Sequence, residues 1–428
     1  LMLATDYFWR VDEVGDTGTY AGDVWGFTTE EFIVIDDFES YDDNMEAGTT
    51  IWQTWIDGLT TEASGSQVGY TDAKNGTFGE TTVVHSGSQS MPLQYDNSKF
   101  TLAEAELSFD SPQDWTARGV KSLAIHFAGA ADNTGQLYLK INNTKVPYDG
   151  AAADLTRASW QAWNIDLSTV GNVATVRSLT LGIEDAGARG ILYIDDIRLY
   201  PKAPEYIAPV DPGTANLVGL WTLDGNADDT SGKGNNGTVT GGAAIWGAGA
   251  VNQALQLQNG QTYVDCGSSA SLNLTDAVTL TAWIQMDFAA GDRKIATNQD
   301  GTTGGYKMGL YTNNMVEFEI RTSAGAATLN RNSAGGTALQ QGVWYHVAGV
   351  YSQGQFIRTY VYGNLDRELA TTAVLGASTA SFKLGRGESA TDYFWLGSLD
   401  DVHVYNRALS QEEILWVMGQ TQPVAKPF

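Results

Sequence analysis

One cysteine, Cys266, is all that the 428 residues contain. No intrachain disulfide can form, so stability has to come from buried apolar cores and, where charges cluster, from bound ions. Basic residues are scarce as well, 24 Lys+Arg against 50 Asp+Glu, for a formal charge of −26. Such a field repels phosphate backbones, which excludes nucleic acid as a partner. The acids are spread along the chain, so they do not form a disordered acidic tail. No run of about 18 apolar residues is present, hence no membrane span. The N-terminus, LMLATDYFWRVDEV, lacks a basic region followed by an apolar stretch and does not read as a signal peptide. If the protein is secreted, this chain is expected to be a fragment of a longer precursor. The four histidines, His85, His126, His346 and His403, show no His-x-x-x-His spacing, which disfavours zinc. Also missing are a Gly-x-Ser-x-Gly elbow, a phosphate loop and a dinucleotide fingerprint.

What is present points to short strands. Hydrophobic residues make up 43% and aromatics 11%, while 48 glycines and many Thr, Asn and Asp supply turns. The expected class is all-β: two tandem antiparallel β-sandwiches of jelly-roll type, preceded by a short hairpin. The length fits about two or three domains. ATDYFW occurs twice, at Ala4–Trp9 and Ala390–Trp395. The neighbours of the two copies diverge at once, so both read as unrelated edge strands and not as a repeat.

Four segments follow along the chain. Residues 1–30 hold two strands, TDYFWRVDEV and DVWGFTT. They resemble the last strands of a fibronectin type III domain. Residues 31–201 open with FIVIDDFESYDD and close with GILYIDDIRLY, with alternating runs such as KSLAIHFAG and GQLYLKIN between them. The frame DDFESY, SGSQSMPLQYDN, WQAWNIDLS and YIDDIRLY resembles galactose-binding-like jelly rolls, the architecture of many carbohydrate-binding modules. Residues 202–215 read as an extended linker; with Pro201 just before it, the stretch holds four of the nine prolines. In residues 216–420, W-x-L-D…D-x-S-G-x-G-N-x-G-T, WYHVAGVY and LDDVHVYNRALS resemble the laminin-G-like, concanavalin A-like jelly roll. Only SQEEILWVMG near the end reads as a helix, capped by Ser410.

Paired acids are the metal candidates, since calcium collects 6 to 8 oxygens from carboxylates and turn carbonyls. The laminin-G-like resemblance implies structural calcium where the loop after the first strand meets the last strand, with Asp229, Asp400 and Asn236 as ligands. In the galactose-binding-like segment, Asp37 and Glu39 fall on one face of the first strand, and Ile194, Asp196 and Arg198 on one face of the last. Asp37, Glu39 and Asp196 are candidate calcium ligands there; the competing reading pairs Arg198 with a carboxylate. Glu317 and Glu319 in VEFEIRTS invite comparison with glucanases, but the Glu-x-Asp-x-x-Glu pattern fails at Thr322. Surface glutamates flanking Phe318 and Ile320 are the simpler expectation. Cys266 is read as an inert buried thiol. Sugar rings stack on flat side chains, so Trp52, Trp55, Trp115, Trp160 and Trp163 are platform candidates. Trp160 and Trp163 must point to opposite faces of one strand, and both are read as mainly structural.

The resemblances imply a non-catalytic adhesive or carbohydrate-binding region of a large secreted or cell-surface bacterial protein. Its expected partner is a polysaccharide or glycoconjugate. One alternative is a self-assembling extracellular filament or surface-layer subunit joined through residues 1–30. Another, the least supported, is a glycoside hydrolase.

Overall fold

The computed structural model describes residues 1–70, 77–258, 260–302, 304–322, 325–329, 336–388 and 393–428. The chain divides into two units, Leu1–Ile207 with Gln422–Phe428, and Ala208–Thr421. Both are built of antiparallel sheets, and the protein is all-β with brief helical turns.

In the first unit one sheet runs Gln161–Asp166, Ser122–Ala128, Arg189–Tyr200, Met91–Asp96, Ser66–Val68, with Ile33–Asp36 also paired to Arg189–Tyr200. The second runs Thr144–Pro147, Gln136–Ile141, Val176–Glu184, Leu102–Gln113, Trp55–Ile56. Period-two alternation sends Leu123, Ile125 and Phe127 of one sheet and Leu137, Leu139 and Ile141 of the other into a shared apolar core. First and last strands lie side by side, Val34 opposite Arg198 and Ile33 opposite Leu199.

Two short segments join this unit from the chain ends. Asp6–Trp9 pairs with Trp25–Thr28 as a hairpin, anchored by buried Leu3, whose amide donates to the Arg118 carbonyl. The first strand stops at Trp9, and the loop carries a second small hairpin, Glu13–Gly15 with Gly18–Tyr20. At the other end Val424–Ala425 pairs with Tyr206–Ile207, and Phe428 stacks on Tyr200 at 4.4 Å. Part of the proline-rich 202–215 segment is therefore a paired strand and not an extended spacer.

The second unit has one sheet ordered Ile245–Ala248, Gln253–Leu257, Gly397–Tyr405, Ala277–Met286, Trp344–Ser352, Phe356–Val361, Asn364–Ala370, with Leu217–Trp221 also on Gly397–Tyr405. The other is ordered Thr238–Thr240, Tyr263–Asp265, Lys383–Leu384, Arg293–Thr297, Tyr306–Leu310, Val316–Thr322, Gly325–Leu329. The sheets approach closely: a Cβ at Gly349 would lie 2.1 Å from the Phe318 ring, so this position admits only glycine. The expected helix forms over Gln411–Val417, N-capped by Ser410. The two ATDYFW copies differ in structure where both are described. Trp9 lies on an exposed strand, whereas Trp395 is fully buried outside any strand; residues 390–392 lie outside the described residues.

Candidate functional site

Three polar or aromatic groupings stand out from the two cores. The first is a cleft of about 450 Å³ on the first unit, lined by Met45, Trp52, Asp57, Leu59, Thr60, Gln67, Val68, Tyr70 and Phe78. One side of its aromatic wall, Trp52, comes from one helical turn, Ile51–Thr54, begun at Thr50, whose hydroxyl donates to Gln53 Oε1 at 2.7 Å. The turn buries Ile51 and, one residue past its end, Trp55, and leaves Trp52 half-buried at the cleft, edge-on to Phe78 at 6.3 Å. Asp57 forms the floor, accepting from the Thr60 and Val68 amides at 2.7 Å each. Tyr70 is fixed through its hydroxyl, which donates to Glu80 at 2.5 Å. An apolar concavity with few fixed polar groups is the usual form of a small-ligand site.

Of the tryptophans singled out from the sequence, Trp55, Trp115 and Trp163 are core residues. Trp160 stands edge-on to His85 at 5.5 Å. Trp52 alone of the five lines the cleft, a distinction that depends on the turn at 51–54 and not on strand alternation.

The second grouping surrounds the paired acids of Arg189–Tyr200. The shared-face argument for Asp37 and Glu39 does not hold, because the strand ends at Asp36 and Phe38 turns into the core with φ +61°. Asp37 accepts from the Glu39 amide at 3.3 Å. Exposed Glu39 accepts from the Ser88 amide at 2.9 Å, the Ser88 hydroxyl at 2.5 Å and the Gln89 amide at 3.1 Å. The buried acid is Asp36, which the sequence did not single out; it accepts from the Tyr41 hydroxyl at 2.5 Å and Trp55 Nε1 at 2.8 Å, and burial raises its pKa.

A β-bulge interrupts the pairing of Ser122–Ala128 with Arg189–Tyr200 between Ala124 and His126, and Asp196 takes φ +50° within it. The side chains of Asp196 and Arg198 meet as an ion pair, and Asp196 also binds His85 Nδ1 at 2.6 Å and the Ser86 hydroxyl at 3.0 Å. Burial opposes the charge on Asp196, but His85, Ser86 and Arg198 together hold its pKa below the usual value. Asp195, buried and beside Asp196, is pushed up to about 6. The imidazole of His85 stacks on that of His126 at 3.8 Å, a pairing between distant segments on which the spacing that disfavours zinc in the sequence is silent. Burial drives His126 down to about 3, so its ring is neutral.

The third grouping repeats this device in the second unit. Asp400 and Asp401 sit at a bulge in Gly397–Tyr405, with Asp401 at φ +42°. Asp400 Oδ2 accepts from the Val251 amide at 2.9 Å, while its buried Oδ1 has no hydrogen-bond partner among the described residues. Burial, with Asp401 and Asp224 adding to it, pushes Asp400 up to about 7, and burial with Asp224 pushes Asp401 up to about 6. Asp224, Asp400 and Asp401 are acids whose charges oppose one another, and one of them has a buried oxygen without a hydrogen-bond partner among the described residues. Asp229, expected from the sequence as the partner of Asp400, is used otherwise: it accepts from the amides of Leu220 at 3.0 Å, Ser231 at 2.9 Å and Asn235 at 2.8 Å. Asn236 Oδ1 accepts from the Asp229 amide at 2.9 Å. These two residues shape the loop after the first strand, and Asp224 is the acid that this loop brings to Asp400.

Glu317 and Glu319 are not surface residues; both are buried. Glu317 pairs with buried Lys294 at 2.5 Å, and Glu319 with buried Lys307 at 3.4 Å and Arg321 at 3.3 Å. Lys307 also reaches Glu388 at 3.1 Å. Each glutamate is thus committed to a cation, unlike the isolated protonated carboxyl that a glycosidase uses as its acid. Cys266 is buried, and burial raises its thiol pKa, as expected of an inert thiol.

No curated protein matches the chain. Among solved structures, domain 4 of AbnA, an extracellular arabinanase from Geobacillus stearothermophilus in complex with arabinotriose, aligns at 18% identity and TM-score 0.40, over 48% of this chain and 98% of that one. The binding domain of Paraclostridial Mosquitocidal Protein 1 aligns at 17% identity and TM-score 0.40, over 48% of this chain and 52% of that one. The binding domain of botulinum neurotoxin serotype G aligns at 13% identity and TM-score 0.38, over 47% and 50%. The aligned part spans about half the length of the two toxin domains. The sequence pattern of the concanavalin A-like lectin/glucanases superfamily matches residues 258–415. The second unit is therefore similar, across those residues, to the concanavalin A-like lectin/glucanases superfamily, in line with the laminin-G-like frame legible in its sequence.

Proposed function

We propose that the chain is a non-catalytic carbohydrate-binding region of an extracellular or cell-surface protein, and that the cleft at Trp52 takes the sugar. The observation that carries this reading is the apolar wall of Trp52, Tyr70 and Phe78 on a cleft of about 450 Å³. Pyranose and furanose rings present C–H faces that pack on such aromatic surfaces, while their hydroxyls need only a few polar contacts at the rim. The lectin-like pattern of the second unit supports a binding role of the same kind. Polysaccharides and glycoconjugates are the ligand class. Binding is tested with a panel of soluble oligosaccharides by calorimetry on the wild type and on Trp52→Ala. Saturable binding lost in the variant supports the reading; equal binding by both moves the site elsewhere.

In the same proposal Asp224, Asp400 and Asp401 hold a calcium ion, which when bound would neutralise the carboxylates and clamp the loop at Val251 to the Gly397–Tyr405 strand. The cation is structural here, so its readout is stability.

A second reading has its own observation. On the N-terminal hairpin Phe8 is 73%, Trp9 52%, Trp25 61% and Phe27 46% exposed, with Trp9 stacked on Trp25 at 6.0 Å and Tyr7 on Phe27 at 5.8 Å. Aromatic strands left open to water are a template for a second copy of the chain.

A further inference from the structure

We infer that His85, His126 and Asp196 form a binding site for a divalent transition-metal ion of the zinc class. One ligand atom from each side chain lies within 4.8 Å of the other two. The three come from separate parts of the first unit: His85 from the loop before Met91–Asp96, His126 from Ser122–Ala128 and Asp196 from Arg189–Tyr200. Only the fold assembles them, with the bulge opposite His126 turning Asp196 toward the same face.

Three observations favour an ion over a merely packed cluster. His126 Nδ1 is buried with no hydrogen-bond partner among the described residues, and an orphaned acceptor of that kind is costly unless something completes it. Asp196 Oδ1 is engaged by Arg198 and Ser86, so Oδ2 is the oxygen left to face the histidines. His85 is 31% exposed at its side chain, which gives an ion access and keeps a fourth position open to water. A tetrahedral zinc ion with bonds of about 2.0–2.2 Å requires ligand atoms about 3.3 Å apart. The two imidazoles, stacked at 3.8 Å, must swing apart for both lone pairs to converge on one ion. Two imidazole nitrogens and one carboxylate suit zinc, cobalt or nickel, whereas calcium takes oxygen alone. When the ion binds, the His85 Nδ1···Asp196 Oδ2 hydrogen bond gives way, and the neutral ring carries its one proton on Nε2 so that Nδ1 presents its lone pair to the ion.

The test uses the full chain, stripped with EDTA and titrated with zinc chloride by calorimetry in excess calcium. The expected result is one tight equivalent of zinc that calcium does not displace, and cobalt in the same site giving the visible absorption of a tetrahedral complex. His126→Gln and His85→Gln should each weaken binding at least about 100-fold, since each removes a direct ligand. Asp110→Asn, at an exposed acid on the other sheet, should leave it unchanged. If His126→Gln loses its fold by circular dichroism, the exposed His85→Gln carries the decision. Absence of tight binding, unchanged affinity in His85→Gln, or a cobalt spectrum of an all-oxygen site would overturn the inference.

Discussion

Trp52 and Trp163 separate binding from folding at the level of single side chains. Trp52 is half-buried at the cleft, and Trp163 is 1% exposed in the core, edge-on to Tyr148. Trp52→Ala is expected to lower sugar affinity by tenfold or more, about 1.4 kcal/mol, with little change in melting temperature. Trp163→Ala should cost about 3–5 kcal/mol of unfolding free energy, read by urea denaturation. Glu413 supplies the pH-dependent case. Its carboxylate takes two hydrogen bonds from Arg407, at 2.7 and 2.8 Å, and one from the Ser410 amide at 2.9 Å, and Arg407 foremost holds its pKa below the usual 4.5. The unfolded state therefore binds the proton more readily. The stabilisation is complete above the unfolded value and is lost as pH falls through the lower folded one. Glu413→Gln should cost about 1–2 kcal/mol at pH 7, and wild type and variant should converge in strong acid.

At the level of elements, each unit carries an Asp-Asp pair at a bulge in a strand near its C-terminal end, Asp195–Asp196 and Asp400–Asp401. The pairs were visible in the sequence, but their partners were not. A bulge inserts one residue, which breaks the alternation used to decide which side chains share a face. The laminin-G-like resemblance implies Asp229 as a metal ligand, yet three backbone amides occupy it. Asp224, five residues earlier, carries the charge next to Asp400 and Asp401. If those three hold calcium, the ion at 100 times its Kd should add about 2.7 kcal/mol of stability, seen as a rise in melting temperature. Asp400→Asn should abolish that rise, and in chelator it should be more stable than the wild type by about 1–3 kcal/mol, because a buried uncompensated charge is gone. A calcium response that survives the substitution would place the ion elsewhere.

For the whole molecule, the exposed aromatic hairpin bears on assembly. Light scattering in calcium-containing buffer, on the intact chain and on one lacking residues 1–29, distinguishes the two readings. A concentration-dependent oligomer that dissolves on deletion supports pairing through the hairpin; a monomer in both removes it and leaves glycan binding. The division of the chain also shows the reach of linear reading. The concanavalin A-like frame was legible because its strand pattern is local and its Gly, Asn and Ser turns are explicit. The return of Val424–Ala425 to Tyr206–Ile207 was not, since a two-residue pairing between distant segments leaves no periodic trace.

The sequence by itself determined an all-β protein with no disulfide, an acidic surface, and sandwiches built from alternating strands. Those properties follow from composition and from the two-residue period, which act over a few neighbours. Tertiary structure alone decided which aromatic faces a cleft, which acids meet, and that His85 and His126 stack. These depend on bulges, single helical turns and loops that bring residues tens of positions apart within a few ångströms, and burial then sets the charge and the chemistry of each.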